Sequence, residues 1–171
     1  MIEHRLIERM LGLVERESER VRSGRVDSVF IDTVVDFIRT YADRTHHGKE
    51  EDILFSELAK KPLSQADAAA MAELVEEHTT ARRTTGELVK ANADFLAGRE
   101  ESRAVILEKL QFLTSFYPRH IAKEDKAFFP GTEKYFTAAE LETMLARFND
   151  FDRRMIHEKY ERVYEALAKR G

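Results

Sequence analysis

The chain carries an internal repeat that constrains it more than any bulk property. His46-x-x-Lys49-Glu50-Glu51-x-x-Leu54-Phe55 returns as His120-x-x-Lys123-Glu124-Asp125-x-x-Phe128-Phe129, and Glu3-His4 returns as Glu77-His78. The offset is 74 residues in both cases, so each half reads Glu-His and, 42 residues later, His-x-x-Lys-Glu. One such match could be coincidence, but two at a single offset scarcely can. Two helical hairpins related by a pseudo-two-fold axis would bring both His/Glu pairs to one centre.

Helices are what the sequence supports. Only 7 Gly and 3 Pro punctuate 171 residues, and 35% charged with 43% hydrophobic residues suits long amphipathic helices better than sheets. The spacing predicts a first helix from about Ile2 to Arg22, ended by Ser23-Gly24, and a second from Asp27-Ser28 to Lys61-Pro62. Ser64 with Asp67 reads as a capping box for a third helix ending at Ala97-Gly98. A fourth runs from about Glu100 to Phe129 and stops at Pro130-Gly131, and Thr137 with Glu140 opens a fifth. One domain, residues 1–171, accommodates all of it: an all-α body over about 2–130 and an extra C-terminal helix over about 138–170.

The apolar stripes carry residues that do not normally belong inside. They read His4, Ile7, Leu11 and Val14 in the first helix, and Ile31, Val35, Ile38, Ala42, His46, Glu50 and Ile53 in the second. The third gives Met71, Leu74, His78, Ala81, Thr85 and Leu88; the fourth gives Ile106, Leu110, Leu113, Tyr117, His120, Glu124 and Phe128. Each stripe faces the shared core of a bundle, so four histidines and two glutamates point inward. A single inward histidine is most often a hydrogen-bonded core residue. Two buried carboxylates, however, need compensating positive charge, and no lysine or arginine occupies these stripes. With no cysteine in the chain, a dinuclear site of imidazole and carboxylate supplies that charge, which suits iron, manganese or zinc.

These residues resemble the hemerythrin-like (HHE cation-binding) family over roughly residues 2 to 130. The resemblance is carried by Glu3-His4-Arg5, by His46-His47-Gly48-Lys49-Glu50-Glu51-Asp52-Ile53-Leu54-Phe55, by Glu77-His78, and by Tyr117-Pro118-Arg119-His120-Ile121-Ala122-Lys123-Glu124-Asp125. It implies an up-and-down four-helix bundle around two non-haem iron ions joined by an oxo or hydroxo bridge. Carried over, His4, His46, His78 and His120 become terminal ligands, and Glu50 and Glu124 become bridging ones. Oxygen-transporting hemerythrins place two histidines one turn apart on the third helix, whereas here Leu74 stands four residues before His78. Their last carboxylate follows the last histidine by five residues; Glu124 follows His120 by four. The pattern looks more like the sensor and stress-related branch, which includes the F-box iron sensor and the iron-centre repair proteins. In that sensor the residue after the second-helix histidine is also a ligand, which favours His47 as a fifth histidine.

His47 lies about 100° around the helix from His46, so a half-exposed histidine at the edge of the core is the competing expectation. As a ligand it breaks the pseudo-symmetry, because its counterpart is Ile121, and leaves one iron with an open position. Tyr117, one turn before His120, could bring its hydroxyl to the site or simply pack. Asp43 could orient an imidazole. Pro118 is expected to kink or restart the fourth helix in one half only, and Lys49 and Lys123 are placed on the outer, solvated face. His157, off the stripe of Leu141, Phe148 and Phe151, reads as a surface histidine.

The resemblance implies reversible binding or sensing of O2, or of NO, at the diiron centre. The alternatives are a diiron enzyme consuming peroxide or NO, and an iron-centre repair or iron-donor protein. A ferritin-like oxidase is disfavoured, because no Glu-x-x-His motif precedes His46, His78 or His120. A net charge of -4 without a basic stripe argues against nucleic acid. No run of about 18 apolar residues argues for a membrane span, and Met1-Ile2-Glu3-His4-Arg5 does not resemble a secretory signal. The expectation is a cytoplasmic protein, monomer or homodimer.

Overall fold

The computed structural model describes residues 2–168, with side chains described for residues 3–155 and Lys159. Helix α1 spans Ile2–Arg22. Gly24 follows it at φ 92°, the left-handed position at which helices commonly end. Helix α2 (Ser28–Phe37) starts where the Asp27 carboxylate accepts a hydrogen bond from the Phe30 N–H at 3.0 Å. It continues through wide π-helical turns at Ile38–His47 and Glu50–Phe55 into α3 (Ser56–Leu58). Helix α4 (Gln65–Leu96) opens on Ser64, whose Oγ accepts from the Asp67 N–H at 3.1 Å, and ends before Gly98 at φ 87°. Helix α5 spans Ser102–Lys123. Helix α7 (Ala138–Ala168) has the expected capping box, with Thr137 and Glu140 each accepting from the other's backbone N–H. Among the described residues the architecture is all-α and without strands.

Two breakers do less than their chemistry suggests. Pro118 neither ends nor restarts its helix, because α5 runs through it to Lys123. Pro130-Gly131 does not stop the chain either. A π-helical turn over Glu124–Phe128 leads into α6 (Phe129–Thr132), where Pro130 sits in the first turn and its missing N–H costs nothing. A 3-10 turn at Glu133–Tyr135 follows.

The stripes are buried as their spacing requires: Ile7, Val14, Ile31, Ile38, Leu88, Ile106, Leu110 and Leu113 are all at most 4% exposed. They form one core at the α1–α2–α4–α5 end of the bundle, while Phe55, Leu58, Leu74 and Phe128 form a smaller one beyond the histidines. Helix α7 lies across the π-helical segments of the second helix. Both Glu50 and Glu124 open a π-helical turn, so the 74-residue repeat extends to the backbone.

Candidate metal centre

Between the two apolar cores the bundle holds five imidazoles and two carboxylates. His4, His46, His47, His78, His120, Glu50 and Glu124 are each at most 3% exposed. Their donor atoms fall into two groups, His47 with His78 and His120, and His4 with His46, Glu50 and Glu124. Within each group, one donor atom per residue lies within 4.8 Å of all the others. The glutamates face both groups. Glu124 sets Oε1 at 3.1 Å from His120 Nε2 and Oε2 at 3.2 Å from His4 Nε2. Glu50 sets Oε1 at 3.5 Å from His46 Nε2 and Oε2 at 3.4 Å from His78 Nε2.

Every one of the five imidazoles turns its Nδ1 to a carboxylate. His4 meets Asp125 at 3.0 Å, His46 meets Glu3 at 3.3 Å and His47 meets Asp43 at 3.3 Å. His78 meets Glu51 at 2.6 Å and His120 meets Glu77 at 2.8 Å. An N–H at Nδ1 donating to the carboxylate leaves the lone pair on Nε2, directed inward. Four of these pairs obey the repeat: Glu3–His46 with Glu77–His120, and Glu51–His78 with Asp125–His4. Lys49 pairs with Glu3, and Lys123 with Glu77 at 2.6 Å. Asp43 meets the imidazole of His47, not that of His46, and Arg82 clamps Asp43 and Glu51 together at 2.7 and 2.8 Å.

Two expectations, those for Lys49 and Lys123, are revised, and the competing one for His47 does not hold. His47 is not half-exposed; it is 1% exposed, stacked on His78 at 3.9 Å between ring centroids. Lys49 is not solvated but 8% exposed, because α7 crosses above it and Asp152 Oδ1 stands 2.8 Å from its Nζ. Lys123 is only partly exposed, at 27%. Tyr117 is buried and its ring lies near parallel to that of His47 at 6.3 Å, with no hydrogen-bond partner for its hydroxyl among the described residues. The side chain of His157 lies outside the described residues. The orienting carboxylates Glu3, Glu51, Glu77 and Asp125 went unassigned in the sequence, although their retention at the 74-residue offset was the signal that could have found them.

The inward atoms fit a cation and little else. His47, His78 and His120 Nε2 and all four oxygens of Glu50 and Glu124 are buried without a hydrogen-bond partner among the described residues. They approach one another at 3.1 to 3.5 Å without a hydrogen bond to the glutamate oxygens, as donors gathered about a shared centre would. His4 and His46 bring their Nε2 atoms to 2.9 Å. Two lone pairs at that distance repel, whereas nitrogens about 2.1 Å from one ion and at right angles lie about 3 Å apart. Burial, then the charge of Glu124, pushes the Glu50 carboxyl well above its ordinary range. Burial also raises Glu124, but the imidazoles of His120, His4 and His78 outweigh it and hold it well below. Two carboxylates pulled so far apart cannot both ionise comfortably without added positive charge. Burial, followed by the neighbouring His78, His46 and His120, drives His47 far below the usual imidazole value, so it stays neutral and able to ligate.

Among the described residues no helix is long and apolar enough to cross a membrane. No significant match to a curated protein or to a solved structure accompanies the chain. The family model described as the hemerythrin HHE cation-binding domain matches residues 1–132, which takes in every histidine and carboxylate of the site and ends before α7. With that match over most of its length and a histidine/glutamate cluster arranged for cations, the chain belongs to the hemerythrin HHE cation-binding family.

Proposed function

We propose that the chain is a non-haem diiron protein that reversibly binds or senses a diatomic gas, O2 first and NO second. The observation that carries this reading is the placement of Glu50 and Glu124, each with one oxygen beside a histidine of either group. His47, His78 and His120 would hold one iron, His4 and His46 the other, and the two carboxylates would span both. When bound, the iron pair would supply electrons and a vacant coordination position for the gas.

The protein's own residues set the rest. One half offers three imidazoles and the other two, because Ile121 stands where symmetry would place a partner to His47. An open position would therefore fall to the iron held by His4 and His46. Five outer carboxylates fix the imidazole tautomers and strengthen them as donors. A histidine-rich, carboxylate-poor set favours reversible binding over oxygen activation.

The test is elemental analysis with the visible spectrum, followed by stopped-flow mixing of the reduced protein with each gas. About two irons per chain, lost in a Glu50→Ala/Glu124→Ala variant, is the expected result for a bridged dinuclear site. Absence of stoichiometric metal after anaerobic reconstitution would sink the metal reading. Full loading without reaction with either gas would sink only the gas reading.

A further inference from the structure

Helix α7 does not seal against the bundle along its whole length. Beneath its N-terminal half lies a cavity of about 510 Å3 walled by Leu54, Phe129, Phe136, Leu141, Met144 and Phe148. Its polar end is formed by Glu3, His46, Lys49, Glu50 and Asp125. Of the metal-site donors it reaches His46 and Glu50, and none of His47, His78 or His120. It therefore opens on the histidine-poor half alone.

Size and charge together define what fits. A diatomic gas needs roughly the 30 Å3 of a water molecule, whereas sites for small organic molecules run to about 300–1,000 Å3. The walls are apolar, so the body of the occupant is apolar. Glu3, Asp125 and Glu133 border the space, and Lys49 is already engaged by Glu3 and Asp152. Carboxylate oxygens repel an anionic head, and an ammonium head would lose its hydration against apolar walls. A neutral hydroxyl can donate to the carboxylates at little cost. The concave shape, closed at its inner end by buried His46 and Glu50, suits a small molecule better than the flatter face of a second copy.

We infer that this cavity binds a neutral organic molecule with an apolar body and a hydroxyl head, seated with its head against the His4/His46 half of the centre. The position of the head relative to a metal rests on the diiron reading above; occupation of the cavity does not.

The test is calorimetric titration of the full chain, metal-free and iron-loaded, with straight-chain 1-alkanols from butanol to dodecanol, metal content being measured on the same samples. One site is expected, with affinity rising roughly fourfold per methylene until the cavity is full and flat thereafter. The histidine side-chain NMR signals of His46 should shift on binding, and those of His47 should not. Leu141→Trp, which fills the space, should weaken binding at least tenfold with circular dichroism and metal content unchanged. Phe148→Ala, which enlarges it, should move the plateau to longer chains. Absence of saturable binding in both forms overturns the inference, as does tighter binding of the alkanoate of equal length. A dimer that masks the cavity, dissociated by Leu145→Glu at the exposed rim (59%), would overturn it in favour of a second copy. Alkanol binding by protein that never takes up iron would uphold the cavity and sink the diiron reading instead.

Discussion

Gly48 and Phe151 interlock across the interface of the second helix with α7. A β-carbon on residue 48 would stand 2.9 Å from Phe151 Cζ, closer than such atoms approach. Gly48 has ordinary helical torsions, φ -59° and ψ -41°, so the glycine answers to packing and not to backbone conformation. Its counterpart in the repeat is Ala122. Gly48→Ala should therefore loosen α7 rather than the bundle, costing about 1–3 kcal/mol of docking. Hydrogen exchange should accelerate over residues 141–155 and stay unchanged over 65–96. Equal acceleration in both would show that α7 and the bundle open as one unit.

Lys49 and Lys123 occupy equivalent repeat positions in different surroundings. Lys49 is enclosed by Glu3 and Asp152, and Lys123 stands at the surface beside Glu73 and Glu77. Burial raises the Glu3 carboxyl, but hydrogen bonds with His46 and Lys49 outweigh it and hold it at about 2. Removing Lys49 strands a part-buried carboxylate that orients His46. Lys49→Met should lower metal affinity by roughly 10–100-fold, the usual effect of losing an outer partner. Lys123→Met should lower it by much less. Competition with a chelator measures both, and equal losses would refute the asymmetry.

The sequence announced most of this centre because its demands are local and periodic. His46/Glu50 and His120/Glu124 sit four apart on apolar stripes, and the 74-residue offset exposes their equivalence. The outer carboxylates escaped because Glu3, Glu51, Glu77 and Asp125 lie off the stripes, where an acidic residue looks like ordinary solvated surface. Their partners are on other helices, 27 to 121 residues away. Lys49 was misplaced for a related reason: its burial comes from α7, and nothing local in the sequence says where α7 docks. Pro130 does not stop the chain because a proline rule states what one residue costs, while its place in the first turn of a helix decides whether that cost is met.

Acid should release the hydrogen-bonded clasp that ties Tyr135 and Thr137 to the ends of the neighbouring helices. Hydrogen bonds with Tyr135, Ser64 and Lys134 hold Asp67 at about 2, below its ordinary 3.8. Lys61 and Thr137 hold Glu140 at about 2, below 4.5. Both folded values lie under the unfolded ones. The stabilisation is therefore complete above about pH 4.5 and is lost as pH falls through about 2. Residues 133–140, which include cavity-lining Phe136, should exchange faster across that window, and Tyr135 ring signals should move with them. Asp67→Asn should remove much of this pH dependence at Tyr135. Unchanged behaviour in the variant would show that the acid effect arises elsewhere.

His47→Ile asks whether the asymmetric histidine holds a metal or only fills space. The substitution installs at position 47 the residue type that the repeat carries at 121. In the metal-free protein it replaces a buried imidazole, its Nε2 without a partner among the described residues, by an apolar side chain of similar bulk. Removing the unsatisfied Nε2 offsets the loss of the Asp43 contact and of the stack on His78, so the metal-free variant should fold, as thermal unfolding checks. If His47 is a ligand, the His78/His120 half loses one of its three imidazoles and iron content should fall towards about one per chain. A histidine retained only for packing predicts full iron content. Iron content separates the two roles, because the stack on His78 and the contact with Asp43 are lost in either case.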